Sequence, residues 1–511
     1  MQQLSFAPDI VDTTADEEEL VREAFSHDGV APEAARIAME ERYGHLLEET
    51  DIFNRQLVSF QANKTDVLHS WIKYREGFSG DLVEILIKEF GLEPGDLLLD
   101  PFAGSCTTLL VAKLMGIDAM GIELLPHCHL AWAAKSRAFD YQVEEIRRVR
   151  ELVENQTPPP SERTFPHLYI TQSAFPEQTE RDLMAYTDWI ETLDVSKEAK
   201  ILCRLILISI LEDISYTRKD GQYLRWDRRA EKIRKRNKKR RARGKKPIKG
   251  IHKGKLGGVK EKFLEKLNKI IVDVIKLQWE PPPPSKQELI EGNTLYMLPK
   301  MEADQFAGVI TSPPYANRYD YTRTYALELA YLGVEKEIFR LRQRQLSCTV
   351  ENKPKLEKLA AFYDEIGQTQ RYDDIIEVVQ TTAALTEVNT ALQIRNERGE
   401  INNSGILSMI DQYFTEMTFV YAELYRTCRP GAYVAFVNDN VRYAGEVIPV
   451  DLLSTNLAER VGFEPVKVYV LPQRKGNSSQ QMAKYGRVEL RKSITIWQKP
   501  TEADKRNHHA L

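Results

Sequence analysis

Two short stretches hold residue types whose spacing could do chemistry. The first is Thr311–Tyr315, TSPPY, entered from the apolar run Ala307–Ile310. Read locally, it is a buried strand stopped by two prolines, which lack an N–H and fix the backbone stiffly. The stop leaves carbonyls unpaired, and an aromatic ring follows at once. Carbonyls can accept hydrogen bonds from an exocyclic amine, and a tyrosine face can stack on a base. Open α/β sheets bind their ligands past the carboxyl ends of strands, which is where this turn falls. A plain strand-ending turn would explain the same five residues, so the stretch needs company.

Leu97–Thr108, LLLDPFAGSCTT, supplies it. An apolar strand ends on Asp100, small residues turn the chain, and Thr107 opens a helix with apolar positions at helical spacing. A second strand, Ala119–Ile122, then ends on the acidic Glu123. A glycine-bearing turn for close approach, followed by an acid at the next strand end for ribose hydroxyls, is the logic of a nucleotide site. The turn is not GxGxxG, which disfavours a nicotinamide dinucleotide.

DPFAGSCTT and SPPY together resemble the amino-group DNA methyltransferases, whose motifs look like DPFxGSGTT and (S/N/D)PPY and which use S-adenosylmethionine to methylate N4 of cytosine or N6 of adenine. The resemblance covers roughly Trp71–Arg137 and Glu291–Lys499, and the serine form of the second motif is typical of the N4-cytosine branch. It implies an α/β fold, a Rossmann-like seven-stranded methyltransferase sheet with an antiparallel last hairpin and helical and basic insertions. It also implies S-adenosylmethionine as cofactor, double-stranded DNA as substrate, and a restriction-modification or phage-defence role with a cognate restriction endonuclease or defence-system proteins as partners. Ser312, Pro313, Pro314 and Tyr315 would be catalytic. Phe78 and Ser79 would wall the cofactor pocket, Asp100, Phe102, Gly104, Ser105, Thr107 and Glu123 would hold the cofactor, and Asn293 would lie beside its adenine. One departure is Cys106, which stands where the family has glycine and fits that turn if its φ is negative.

Composition sets the bounds. The chain has 511 residues, 42% hydrophobic and 29% charged, as a globular protein would. No apolar run approaches a membrane span and the N-terminus lacks a secretion signal, so no membrane association and a cytoplasmic location are expected. Five scattered cysteines without a CxxC pair suggest neither zinc nor disulfides. His127, Cys128 and His129 have no partner cluster, so no metal is expected. No Pro-Cys dipeptide exists, which disfavours C5-cytosine chemistry. The net charge of −4 conceals an asymmetry: Arg218–Lys260 carries 20 Lys/Arg against 3 Asp/Glu, so the remainder carries −21. Such a run is often only a solvated face, but a dense one beside Tyr216, Tyr223 and Trp226 suits phosphates.

Along the chain the expected organisation is an N-terminal helical arm (1–65), the cofactor half of the core (66–140), a basic insertion serving target recognition (141–285), the SPPY part of the core (286–334), a helical insertion (335–402), the C-terminal part of the core (403–500) and a tail (501–511). Nucleic-acid contacts are assigned to Arg225, Arg228, Arg229, Lys238 and Arg240 in the basic run, to Arg318 at the pocket mouth, and to Arg474 and Asn477 in a polar loop. Three other readings compete: adenine N6 as target, an RNA substrate, and a non-catalytic nucleic-acid-binding protein with a degenerate core.

Overall fold

The computed structural model describes residues 25–501 except 55, 60–61, 221–222, 473–484 and 487. Its strands are β1 (Leu47–Glu49), β2 (Leu97–Asp100), β3 (Asp118–Glu123), β4 (Thr217–Asp220), β5 (Tyr223–Trp226), β6 (Gln287–Glu291), β7 (Phe306–Thr311), β8 (Cys428–Asp439), β9 (Val441–Tyr443), β10 (Glu446–Ile448), β11 (Glu464–Val470) and β12 (Lys492–Gln498). One eight-stranded sheet runs β1-β11-β12-β8-β7-β2-β3-β6. Only β12 is antiparallel to its neighbours. The expected Rossmann-like sheet with its antiparallel hairpin is therefore present. It carries eight strands rather than seven, because β1, a short polar strand outside any apolar run, adds in parallel to β11.

Parallel strands need both faces covered, since crossover helices lie on each side. β7 shows this most fully: all six of its residues are buried. One face packs Val309, Val434 and Phe436 against the long helix Gly405–Thr427, and the other packs Ala307, Ile310 and Ala435 beneath the helix Gly80–Glu89. Burying a Val or Ile side chain of this kind contributes roughly 1.5–3 kcal/mol. The sheet thereby holds the ends of β2, β3 and β7 side by side at one edge of the core.

Residues 140–285 fold between β3 and β6 as helices and the hairpin β4–β5. The helix Lys197–Ile214 buries ten residues in a separate apolar cluster, which also takes in Trp71, Leu110 and Ala326 from the sheet side. Trp71 Nε1 donates to Asp273 Oδ2 at 2.9 Å, and buried Lys219 pairs with buried Glu328. The insertion is thus locked to the region beyond β7 by packing and by paired charge. At the other end of the molecule, fully buried Arg36 and Arg395 pair with Glu387, Glu446 and Asp28, fixing the first described segment against β10.

Candidate active site and nucleic-acid interface

A cavity opens over the ends of β2, β3 and β7. Asp100 closes its floor and ties the two motifs together. Its Oδ1 accepts from Thr311 Oγ1 at 2.6 Å and Phe102 N at 3.1 Å, and its Oδ2 accepts from Thr108 Oγ1 at 2.7 Å. Burial pushes its carboxyl up to about 6 against the pull of those donors. Because Thr311 precedes Ser312, one carboxylate fixes the cofactor-type turn relative to the proline turn.

Glu123 is held as tightly. Oε2 accepts from Gly104 N at 2.8 Å, and Oε1 accepts from Leu124 N and Leu125 N, each at 2.7 Å. Burial raises its carboxyl to about 7. A carboxylate offers about four lone-pair sites, so one remains for a ligand hydroxyl. The turn between these acids is left-handed at Gly104 (φ +51°), and a Cβ there would lie 2.7 Å from the Tyr74 ring. Cys106 is also left-handed, with φ +64°. This corrects the expectation of a negative φ. The turn keeps the glycine conformation, and cysteine bears it while fully buried among Val83, Leu109 and their neighbours. Such a conformation costs a non-glycine residue roughly 1–2 kcal/mol.

Tyr74, Glu76 and Phe78 form one wall, from the chain just before the helix Gly80–Glu89. Ser79 does not face the cavity; it caps that helix by accepting from Leu82 N at 3.2 Å. Tyr74 stacks on Tyr325 at 5.3 Å, and His127 stacks on the same ring at 4.5 Å. Glu76 accepts from Tyr319 Oη and Tyr325 Oη, and burial raises its carboxyl. Phe102, Ser105 and Thr107 line the cavity with the turn itself. Asn293 lines it too; its Oδ1 caps the next short helix through Leu295 N, and its Nδ2 donates to Arg344 O at 2.6 Å.

Ser312 and Pro314 reach the same cavity, whereas Pro313 and Tyr315 lie behind its surface. Ser312 Oγ can donate to Val437 O (3.3 Å) or to Tyr315 Oη (3.1 Å). Lys492 sits 5.6 Å from the Tyr315 ring centroid, its ammonium 3.2 Å from Asp439. Tyr321, from the helix after the proline turn, completes this side. Tyr74, Glu76 and the Arg344–Leu346 segment were not identified from sequence. Their only signal was a Tyr in a loop before a helix and an Arg in a charged, helix-prone stretch.

The basic run separates into two kinds of residue. Arg229 is a brace, with Nε and Nη2 at 2.8 and 2.9 Å from the Asp227 carboxylate and Nη2 also on Gly254 O. Arg225 pairs with Asp220, and Arg240 Nε donates to Lys246 O at 2.7 Å. Arg228 and Lys238 are exposed. The helix Glu231–Ala242 buries only Ile233, and all its Lys and Arg residues except Lys232 and Arg240 are exposed. At its start Lys232 lies over both Trp226 (4.8 Å) and the exposed ring of Tyr169 (5.4 Å). Arg318 is half-buried with φ +69°. Arg474 and Asn477 lie outside the described residues.

Comparison with known proteins agrees with this geometry. Residues 40–133 match a family model described as DNA methylase, of the N6/N4 type. The chain is 57% identical over 479 residues to Type II methyltransferase M.BsoBI of Geobacillus stearothermophilus, covering 93% of this chain and 94% of that protein. It is 39% identical over 472 residues to Type II methyltransferase M.AvaI of Nostoc sp., covering 91% and 93%. The protein of this chain belongs to the Type II DNA methyltransferases of the N4/N6 amino-group family, with DNA as substrate and S-adenosylmethionine as methyl donor. The cavity suits that cofactor: Glu123 keeps an acceptor site for a hydroxyl, and the left-handed turn at Gly104 brings backbone to the cavity.

Proposed function

We propose that this methyltransferase modifies the exocyclic N4 amine of cytosine at a specific DNA site, with Ser312 at the reacting nitrogen. The observation that carries the reading is that Ser312 and Pro314 share one cavity with Asp100 and Glu123. The serine form of the PPY motif favours cytosine over adenine.

The residues divide the work. Glu123, with one lone-pair site to spare, accepts from the ribose, and the turn Phe102–Thr107 with Phe78 and Asn293 encloses the rest of the cofactor. S-adenosylmethionine supplies an already activated methyl on a sulfonium sulfur. An arylamine is a poor nucleophile because its lone pair is delocalised into the ring. Ser312 Oγ donates its own proton to Val437 O and takes that of Tyr315 Oη, which leaves one lone pair to accept from the target N–H. With Ser312 Oγ as acceptor, the nitrogen is drawn toward a tetrahedral form with its lone pair aimed at the methyl. The N–C bond forms as the S–C bond breaks, and the aminium releases one proton to solvent. Most of the remaining barrier is positional, which a stiff Pro-Pro turn on a buried strand addresses.

Tyr315 braces Ser312 from behind and Tyr321 offers its ring to a base extruded from the duplex. The exposed face of Glu231–Ala242, with Arg228 and Lys238, contributes phosphate contacts, which position DNA without reading sequence. A cognate endonuclease acting at the same site is the expected partner. Nucleoside mass spectrometry of unmethylated plasmid, incubated with protein and S-adenosylmethionine, tests the choice of base. N4-methylcytosine is expected; N6-methyladenine would keep the machinery and overturn the base.

A further inference from the structure

The short helix Ile338–Arg344 sits on the rim of the cavity and carries a large apolar side chain in solvent. Phe339 is 52% exposed, whereas Leu341 on the opposite side is buried. The last turn of this helix belongs to the site: Arg344 and Gln345 line the cavity. Arg344 lies five residues beyond Phe339, a rise of about 7.5 Å along a helix. Phe339 therefore stands within one and a half turns of a residue that lines the cavity.

The helix is rigidly mounted. Arg342 Nε donates to Thr322 Oγ1 at 3.0 Å and lies 3.1 Å from Asp320 Oδ2, on the segment that follows the proline turn. Asn352 Nδ2 donates to Arg342 O at 2.9 Å. Gln343 exchanges two hydrogen bonds of 2.8 Å with the backbone of Glu351 and Lys353. Lys353 in turn holds its ammonium 5.8 Å from the Phe339 ring. The neighbouring Arg340 is 77% exposed and pairs with Glu337, one turn back, at 3.2 Å. An exposed aromatic ring flanked by cations, on a fixed support beside the opening, is complementary to a polyanion with a stack of bases at its centre.

We propose that Phe339 is a wedge that enters the duplex at the target base pair and fills the gap the extruded base leaves. Proteins that unstack DNA insert apolar side chains between base steps, and the unstacking they impose costs less at an unpaired or mismatched position. Arg340 and Lys353 would hold the flanking phosphates while the ring enters. This rests on the reading above that the base leaves the helix to reach Ser312.

The test uses a duplex carrying the methylated site, mapped from the modified plasmid, with 2-aminopurine as the neighbour of the target base. Wild-type protein with S-adenosylhomocysteine should raise its fluorescence severalfold. Phe339→Ala should lose most of that rise and methylate the paired duplex at least tenfold more slowly, and Phe339→Leu should keep most of both. A mismatch opposite the target should return Phe339→Ala to within about twofold of the wild-type rate, a rescue that a merely misfolded variant would not show. An unchanged fluorescence rise in Phe339→Ala, or a rate deficit that the mismatch leaves in place, overturns the wedge alone. Methylation by wild-type protein without any fluorescence rise would overturn base extrusion, and the wedge with it.

Discussion

The cofactor turn and the basic insertion use charge in opposite ways. Around the turn, Asp100 and Glu123 are buried and nearly every oxygen lone pair has an assigned donor at 2.6–3.1 Å. Around the helix Glu231–Ala242, most cations are exposed, and Lys235 and Arg240 take partners from their own neighbourhood. Buried carboxylates with fixed donors give geometry, because moving one leaves unsatisfied polar groups that cost about 1–3 kcal/mol each. Exposed cations give affinity without geometry, screened by salt within about 8–10 Å. The first region can place a methyl group to within a bond length; the second can only gather DNA nearby.

That contrast predicts separable failures, the largest at the turn. Gly104→Val puts a branched side chain where φ is +51° and a Cβ already meets Tyr74 at 2.7 Å. Calorimetric affinity for S-adenosylhomocysteine should fall by about a hundredfold or more, given a left-handed penalty of roughly 1–2 kcal/mol plus the clash. DNA binding in the absence of cofactor should hardly change.

The reverse pattern is expected in the insertion. Arg234, Lys238 and Arg241 are exposed and recur at spacings of four and three along one helix. Replacing all three with Gln should weaken DNA binding about ten- to a hundredfold and reduce the slope of log affinity against log salt by about 2–3. Cofactor affinity should be unchanged. An unaltered salt slope would mean that DNA lies elsewhere.

Legibility follows the same line. Asp100, Gly104, Glu123 and Ser312 could be read from sequence because local spacing fixes them: a strand, a turn, and an acid at the next strand end. Tyr74, Glu76 and Arg344 could not, since they reach the cavity only by tertiary packing, through the Tyr74–Tyr325 stack, the Tyr319 and Tyr325 hydroxyls on Glu76, and the Asn293–Arg344 bond. The mostly parallel sheet with its antiparallel last hairpin came from the resemblance, and β1 was missed because it is a polar edge strand without an apolar run. Charge density marked the basic run correctly as a surface, but not that Arg229 and Arg225 are engaged with Asp227 and Asp220.

A smaller effect concerns pH. Glu123 titrates at about 7 and Asp100 at about 6 because burial disfavours their charged forms. Folded protein holds protons that the unfolded chain has released, so these groups favour folding below about pH 4 and that contribution is lost as pH rises through 7. With ionised Glu123 as the proposed acceptor, cofactor binding runs the other way. Affinity for S-adenosylhomocysteine should therefore rise about tenfold between pH 6 and pH 8. Glu123→Gln should bind more weakly and flatten that rise. A wild-type profile already flat over this range would remove Glu123 from the role.

The smallest effect is at Cys106. Cys106→Ala loses the buried sulfur and keeps the left-handed strain, whereas Cys106→Gly loses the sulfur and relieves the strain. In urea melts the glycine variant should exceed the alanine variant by about 1 kcal/mol.

The most direct measurement is single-turnover methyl transfer by Ser312→Ala, at saturating DNA and cofactor, alongside both dissociation constants. If Ser312 accepts from the target amine, the rate should fall about a hundredfold or more, the range for a positioned proton acceptor, while both dissociation constants stay within about threefold of wild type. A variant that transfers methyl at the wild-type rate would contradict the account at its centre.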